Sequence, residues 1–263
     1  MWRIPLQTSL IIPCYNEAEG IPHLCDRLRL LISRLDVAGG IEVVFIDDGS
    51  TDGTADIIRR EATGLPFQIV THARNRGLGA ALRTGFAAST GDEVVTLDSD
   101  CTYDPLQVID LLEVLRSGQD VVTGSPYHPQ GEVVDASRWR LLLSRQLSSL
   151  YAVVIPLHLY TYTSCLRAYR REALRTLRVD DDGFLAVTDL LVTPILRGMR
   201  VAEIPSRLER RRFGRSKVSV VRVSLSHLRY LLRIALSKKM MRPGRPDPPV
   251  AQSRDAAQSI TVE

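Results

Sequence analysis

Three observations predict an α/β protein with a mainly parallel central sheet flanked by helices. Short apolar runs alternate with amphipathic helical stretches, the pattern of βαβ units. Each apolar run opens into a loop rich in glycine, asparagine or carboxylates, and in such sheets ligands sit beyond the carboxyl ends of the strands. The fourth run ends in Asp98-Ser99-Asp100. An extended backbone points residues two apart to the same side, so these two carboxylates converge at that edge.

Leu10-Ile11-Ile12-Pro13 reads as a first buried strand, and Pro13 to Glu17 as its loop. A helix follows from Ile21 to Leu35, with Leu24, Leu28, Leu31 and Leu35 on one stripe. Gly39-Gly40 ends it before a second strand, Ile41 to Ile46. The loop Asp47 to Thr54 leads into a helix over 54–60, and Phe67 to Val70 is the third strand. Asn75-Arg76-Gly77-Leu78-Gly79 opens a helix over 80–89, ahead of the fourth strand, Glu93 to Leu97. A helix over 105–115 and a strand over 120–123 continue the sheet into Gly124-Ser125-Pro126-Tyr127.

Beyond a polar insert, His128 to Ser137, the pattern predicts a helix over 138–154 and a strand or ordered loop over 162–169. A helix over 185–197 and a last strand, Val201 to Pro205, lead into a basic loop. The segment 220–241 is helical, with Val221, Leu225, Leu228, Leu232 and Leu236 on one side. This organisation divides the chain into an α/β domain over 1–219, an amphipathic helix over 220–241 that suits either a membrane interface or packing on the domain, and a disordered tail over 242–263.

Composition is that of a soluble globular protein: 263 residues, 44% hydrophobic, 24% charged, net charge +4. Arginine and lysine crowd the last third, among them Arg207, Arg210, Arg211, Arg212, Arg215 and Lys217. Such a cluster suits nucleic acid, anionic lipid or a phosphorylated substrate. The basic loop lacks interleaved aromatics to stack bases, so nucleic acid is not expected. Cys14, Cys25, Cys101 and Cys165 show no metal-ligand spacing and read as reduced, mostly buried thiols. No signal peptide or membrane span is expected; the apolar run 147–159 is too short and contains Pro156 and His158. The expected location is cytoplasmic, with any membrane met from the surface at its cytoplasmic face.

Gly77-x-Gly79 does not continue as a dinucleotide fingerprint, because Leu82 stands where a small residue is needed. Asp98 and Asp100 instead suit a hard divalent cation held by one or two carboxylates, with substrate phosphates completing its shell.

Taken together, Pro13-Cys14-Tyr15-Asn16-Glu17, Asp47-Asp48-Gly49-Ser50, Asn75-x-Gly77-x-Gly79 and Asp98-Ser99-Asp100 resemble the nucleotide-sugar domain of inverting family 2 glycosyltransferases. Gly124-Ser125-x-Tyr127, Ser144-Arg145, Thr163 to Arg167 and Arg211-x-x-Gly214-x-Ser216-Lys217 resemble the branch typified by dolichyl-phosphate mannose synthase. The resemblance, which spans about residues 8–220, implies a GT-A-type fold and transfer of mannose or a similar hexose from a nucleoside-diphosphate sugar to a polyprenyl phosphate. It implies that Pro13, Tyr15, Glu17 and Asp48 line the base and ribose pocket, with Asp48 bonded to the base. Asp98 and Asp100 would hold Mg²⁺ or Mn²⁺, with Asp98 also reaching the ribose. Ser125 and Arg145 would meet the acceptor phosphate, and Arg211 and Lys217 would clamp phosphate from a flexible loop. A lipid carrier implies peripheral membrane contact or a membrane partner subunit.

The chain departs from the family at Pro126, where arginine is frequent, at Thr102, where a metal-supporting polar group such as glutamine is frequent, and at Ser148, which replaces an asparagine. Two other readings of the residues stay open. A hydroxyl acceptor would need a carboxylate base, for which Asp189 is the candidate, and a noncatalytic module would bind nucleotide sugar without turnover. A phosphate acceptor is already anionic and needs no base.

Overall fold

The structure, a computed structural model, describes residues 7–35, 40–135, 138–214 and 220–238. Ser216, Lys217 and the tail from 239 lie outside the described residues. In chain order the elements are β1 (Thr8–Cys14), α1 (Ile21–Arg34), β2 (Ile41–Asp47), α2 (Thr54–Glu61), β3 (Phe67–Thr71), α3 (Leu78–Ala88) and β4 (Glu93–Thr96). A 3-10 turn (Pro105–Gln107), α4 (Val108–Arg116), β5 (Val121–Ser125), β6 (Glu132–Val133) and α5 (Arg138–Val154) follow. The remainder is β7 (Arg167–Arg170), α6 (Arg171–Thr176), α7 (Leu185–Leu196), β8 (Val201–Pro205), β9 (Arg207–Leu208) and α8 (Val220–Lys238).

The main sheet runs β3-β2-β1-β4-β7-β5-β8 and is parallel except for β7, which is antiparallel to both neighbours. β6 and β9 form a separate parallel pair. The chain leaves β1 outward to β2 and β3, then returns to place β4 on the other side of β1. The loops after β1 and β4 therefore diverge, which opens a crevice at their carboxyl ends.

Successive strand residues feed opposite layers. Leu10 and Ile12 of β1 join Leu24, Leu28 and Leu31 of α1, Ile58 of α2 and Leu111, Leu112 and Leu115 of α4 on one face. Ile11 joins Ala81 and Leu82 of α3, Leu190 and Leu191 of α7, and Tyr151 of α5 on the other.

β7 is the element that periodicity left between strand and loop. It enters between β4 and β5, where both faces are covered, so no polar alternation marks it. Arg167 on this strand is fully buried. Its guanidinium donates to the carbonyls of Ser164 (2.8 Å) and Val187 (2.6 Å), and to Thr123 Oγ1 (3.4 Å) and Tyr169 Oη (3.3 Å). A single side chain thus ties β7, β5, α7 and the 161–166 segment together.

α8 packs on α5 and α7 through a face other than its apolar stripe, of which the Val221 side chain lies outside the described residues. Among its described residues His227, Tyr230, Leu231 and Ile234 are buried, whereas Leu225, Leu228, Leu232 and Leu236 are 50 to 68% exposed. Tyr230 donates to Asp189 Oδ1, and Tyr151 Oη lies 2.9 Å from His227 Nδ1. Burial holds the His227 imidazole neutral, its pKa pulled down to about 4. An unfolded histidine titrates near 6.5, so below that pH the unfolded chain takes up the proton first and stability falls. Between pH 7 and 5 the folded protein is expected to lose about 2 kcal/mol from this group, a loss absent in His227→Leu. Chemical-denaturation midpoints of both proteins at the two pH values check this.

Candidate active site

The loop after β1 is built by the loop after β2. Asn16 adopts a left-handed φ of 53°, and its Oδ1 accepts from the Thr51 amide at 2.7 Å. The amides of Asn16, Glu17 and Ala18 donate to Ser50 Oγ (2.8 Å), Thr54 Oγ1 (2.9 Å) and Asp52 Oδ2 (3.1 Å). Much of the Asp47–Thr54 motif therefore serves to hold Tyr15 and Glu17 in place.

Asp48, also buried, takes three donors. Its Oδ1 accepts from the Arg76 amide (2.9 Å) and lies 2.6 Å from His72 Nδ1, and its Oδ2 accepts from the Gly77 amide at 2.8 Å. His72 Nε2 reaches Thr84 Oγ1 at 2.9 Å. Gly77 has φ of 100°, and a Cβ there would stand 2.3 Å from the Asp182 carbonyl oxygen, so only glycine lets the 181–183 segment dock here.

Two cavities meet at the acidic pair. The first, about 450 Å³, is lined by Pro13, Tyr15, Glu17, Asp48, Asn75 and Gly77, and further in by Asp98, Asp100, Phe184 and Arg211. The second, about 620 Å³, is lined by Thr102, Tyr103, Pro126, Tyr127, Ser144, Thr163, Ser164, Cys165 and Arg210, and again by Asp98, Asp100 and Arg211. The three shared residues make the pair a partition between two chambers.

The electrostatics at the partition call for a cation. Burial and the Asp100 carboxylate push the Asp98 carboxyl well above its ordinary range, against a Cys165 thiol that donates to it and the positive Arg211. Asp100 Oδ1 accepts from the Thr102 amide (3.1 Å) and hydroxyl (2.8 Å). Arg211 bridges Glu17, in a short ion pair, and Asp100 Oδ2 at 3.3 Å. Its guanidinium is the charge that the structure sets against these carboxylates.

Among the described residues no group of three or more His, Cys, Asp or Glu side chains is arranged to hold a metal. A two-carboxylate set is the kind that a divalent cation shares with diphosphate oxygens, and Asp98 and Asp100 fit that role. The thiols of Cys14 and Cys165 are pushed up by burial, which keeps them protonated and weak as ligands.

Pro13, Tyr15, Glu17, Asp48, Asp98, Asp100 and Arg211 are thus brought together as the sequence predicts. Three predicted residues are placed otherwise. Ser125 is fully buried and lines neither chamber, because the chain turns back over it: a Cβ on Gly131 would lie 2.7 Å from the Ser125 carbonyl oxygen. An acceptor phosphate cannot touch it there. Asp189 sits in the α7–α8 seam, accepting from Tyr230 and from Thr193 Oγ1 (2.8 Å), and lines neither chamber. Arg145 is exposed beside the second chamber, its guanidinium 4.8 Å from the centroid of Tyr127, which does line it.

Sequence reasoning missed Phe184, Tyr103 and Arg210 as lining residues; only Arg210 carried a signal, its place in the basic run. It also missed an apolar groove of about 480 Å³ between α5 and α8, lined by Trp139, Leu143, Leu147, Leu150, Leu228 and Leu231. Ser144 and Thr163, whose hydroxyls lie 3.0 Å apart, line both this groove and the second chamber, so the two adjoin, and Phe184 lines both the groove and the first chamber.

Comparison with known proteins agrees with this architecture. The chain is 32% identical over 221 residues to polyprenol monophosphomannose synthase of Mycolicibacterium smegmatis, covering 81% of each. It is 33% identical over 221 residues to undecaprenyl-phosphate mannosyltransferase of Micrococcus luteus, covering 81% of this chain and 88% of the relative. Its fold is like that of glucosyl-3-phosphoglycerate synthase of Mycobacterium tuberculosis, crystallised with Mn²⁺, UDP-glucose and phosphoglyceric acid, with a TM-score of 0.66 at 22% identity, covering 90% and 81% of the two chains. Residues 9–178 match the family model described as glycosyl transferase family 2, and the chain belongs to that family.

Proposed function

We propose that this protein transfers a hexose from a nucleoside-diphosphate sugar to a polyprenyl phosphate, with inversion at the anomeric carbon. The observation that carries this reading is the pair of chambers sharing Asp98, Asp100 and Arg211, the second adjoining an apolar groove. The first chamber would take the donor and the second the acceptor phosphate, with the hydrocarbon chain leading away through the groove. The names of the relatives, which specify prenyl-phosphate acceptors, support the same assignment.

The chemistry divides among the residues accordingly. A Mg²⁺ or Mn²⁺ ion held by Asp98 and Asp100 would neutralise the leaving diphosphate. Arg211 would exchange its carboxylate partners for diphosphate oxygens, and Lys217 would add a second positive charge to the same group. Arg145 and Arg210 would orient the acceptor phosphate, which a guanidinium can bind bidentately. An acceptor oxygen then attacks the anomeric carbon, while the bond to the diphosphate oxygen breaks and the nucleoside diphosphate leaves with the electron pair. The attacking oxygen carries no proton to remove, which agrees with the absence of a free carboxylate base at Asp189.

The exposed apolar residues of α5 and α8, including Trp139, Leu142, Leu150, Val153, Leu228 and Leu232, would seat the groove on a bilayer surface. No helix among the described residues is long and apolar enough to cross a membrane.

The test is nucleoside-diphosphate release by purified full-length protein given a panel of UDP-, GDP- and dTDP-sugars, with Mn²⁺ and polyprenyl phosphate in detergent micelles. Release is expected only when metal and prenyl phosphate are both present, and Asp189→Asn should keep turnover within about threefold, as expected for a residue remote from the reacting atoms. Release onto a soluble hydroxyl acceptor that Asp189→Asn abolishes would establish the other chemistry instead.

A further inference from the structure

The loop after β9 crosses the crevice between the loops that follow β1 and β4. Its near end is fixed beside β4. The Glu209 amide donates to the Thr102 carbonyl at 2.8 Å, Leu208 bridges to Tyr103, and the Gln107 side chain holds both backbone groups of Arg207 at 2.6 and 2.9 Å. Its far end reaches α1. The Phe213 ring centroid lies 6.0 Å from that of His23, and a Cβ on Gly20 would touch Phe213 Cβ at 3.7 Å.

Phe213 ends the run Arg210-Arg211-Arg212-Phe213 and is its one apolar residue. It is 37% exposed, lines neither chamber, and has the first turn of α1 against it. Its effect on the site passes through Arg211 in two ways. Docking of the ring fixes the backbone of the loop, and the Phe213 carbonyl accepts from Arg211 Nε at 2.6 Å. With Nε tied, the planar guanidinium is left with Nη2 on Glu17 and Nη1 3.3 Å from Asp100 Oδ2. Gly214 continues the turn at a φ of 65°, and a Cβ there would stand 3.3 Å from Arg211 Nη2.

We propose that Phe213 is a positioning residue for nucleotide binding: docked on α1, it holds Arg211 across the crevice before any ligand arrives. The role rests on the proposed function, in which Arg211 exchanges its carboxylate partners for diphosphate oxygens. With the loop pinned, that exchange is a change of partners by a guanidinium already in place. Without the pin, the loop and a long, rotamer-rich side chain would have to order at each binding event, and that ordering weakens affinity.

Calorimetric titration of the full-length protein with UDP, dTDP and GDP, each with Mn²⁺ present, tests this. For whichever nucleotide binds, Phe213→Ala should weaken binding roughly tenfold, and Phe213→Tyr, which keeps the ring, should stay within about twofold. In Arg211→Ala protein the added change Phe213→Ala should weaken binding less than about twofold, because the side chain that it positions is gone. Phe213 lies outside the core, so the single variants should melt within a few degrees of the unaltered protein. Unchanged affinity in Phe213→Ala, or the same tenfold loss with and without Arg211, would overturn the inference and leave the proposed function standing. Failure of all three nucleotides to bind the unaltered protein would overturn both.

Discussion

Asp100→Ala should lower turnover by about three orders of magnitude or more, the scale on which charge-stabilising groups act at a developing anion. Asp100 is one of three residues common to both chambers, and its Oδ1 is held by the Thr102 amide and hydroxyl, so its position does not depend on ligand. The same substitution relieves Asp98 of the neighbour that raises its pKa, so the ligand-free protein should melt within a few degrees of the unaltered one. The rise in melting temperature on adding Mn²⁺ with a nucleoside diphosphate should vanish. Loss of turnover with that rise intact would show that Asp100 acts on the acceptor rather than on metal; full turnover would remove it from the site.

Arg167→Met should destabilise the protein by about 4 kcal/mol, because four polar groups at the middle of the sheet would lose their donor while remaining out of reach of water. For a chain of this length that corresponds to a fall in melting temperature of about 10 °C. Arg167→Lys should not restore it, since one ammonium cannot span the Ser164 and Val187 carbonyls and Thr123 together. A change below about 1 kcal/mol in denaturant titration would mean that these carbonyls find water or one another. The Ser164–Cys165 wall of the second chamber hangs from this side chain, so turnover should fall more steeply with temperature in the variant than in the unaltered protein.

The parts of the fold legible from sequence are those set by local periodicity. The helix over 138–154 and the strand Val201–Pro205 have the predicted bounds, and the other parallel strands of the main sheet agree within one or two residues, whereas the β6–β9 pair falls in stretches read as loop. The first chamber was legible for a related reason. In a parallel sheet every strand-to-helix loop emerges at one edge, so Pro13, Glu17, Asp48 and Asp98 had to share it once the strands were identified.

Other features depend on what covers a residue, which local pattern does not carry. Ser125 follows a glycine at a strand end and looks available, but the turn through Gly131 folds back on it. Asp189 has the chemistry of a base, but the rotation of α7 against the sheet directs it to Tyr230. On α8 the sequence leaves the apolar stripe suited equally to a membrane surface and to packing on the domain; the stripe stays exposed, because α5 and α7 offer the Tyr151 and Asp189 hydroxyl and carboxylate groups to the His227–Tyr230 face.

By itself, then, the sequence determined the order of strands and helices and the carboxylates at their ends, because backbone periodicity and loop polarity are local properties. Tertiary structure alone decided that Asp98, Asp100 and Arg211 divide two chambers, that Asp48 is held by His72 and the Arg76 and Gly77 amides, and that an apolar groove adjoins the second chamber. Those facts arise from contacts between segments far apart in the chain, and only packing fixes which lone pairs and faces remain free.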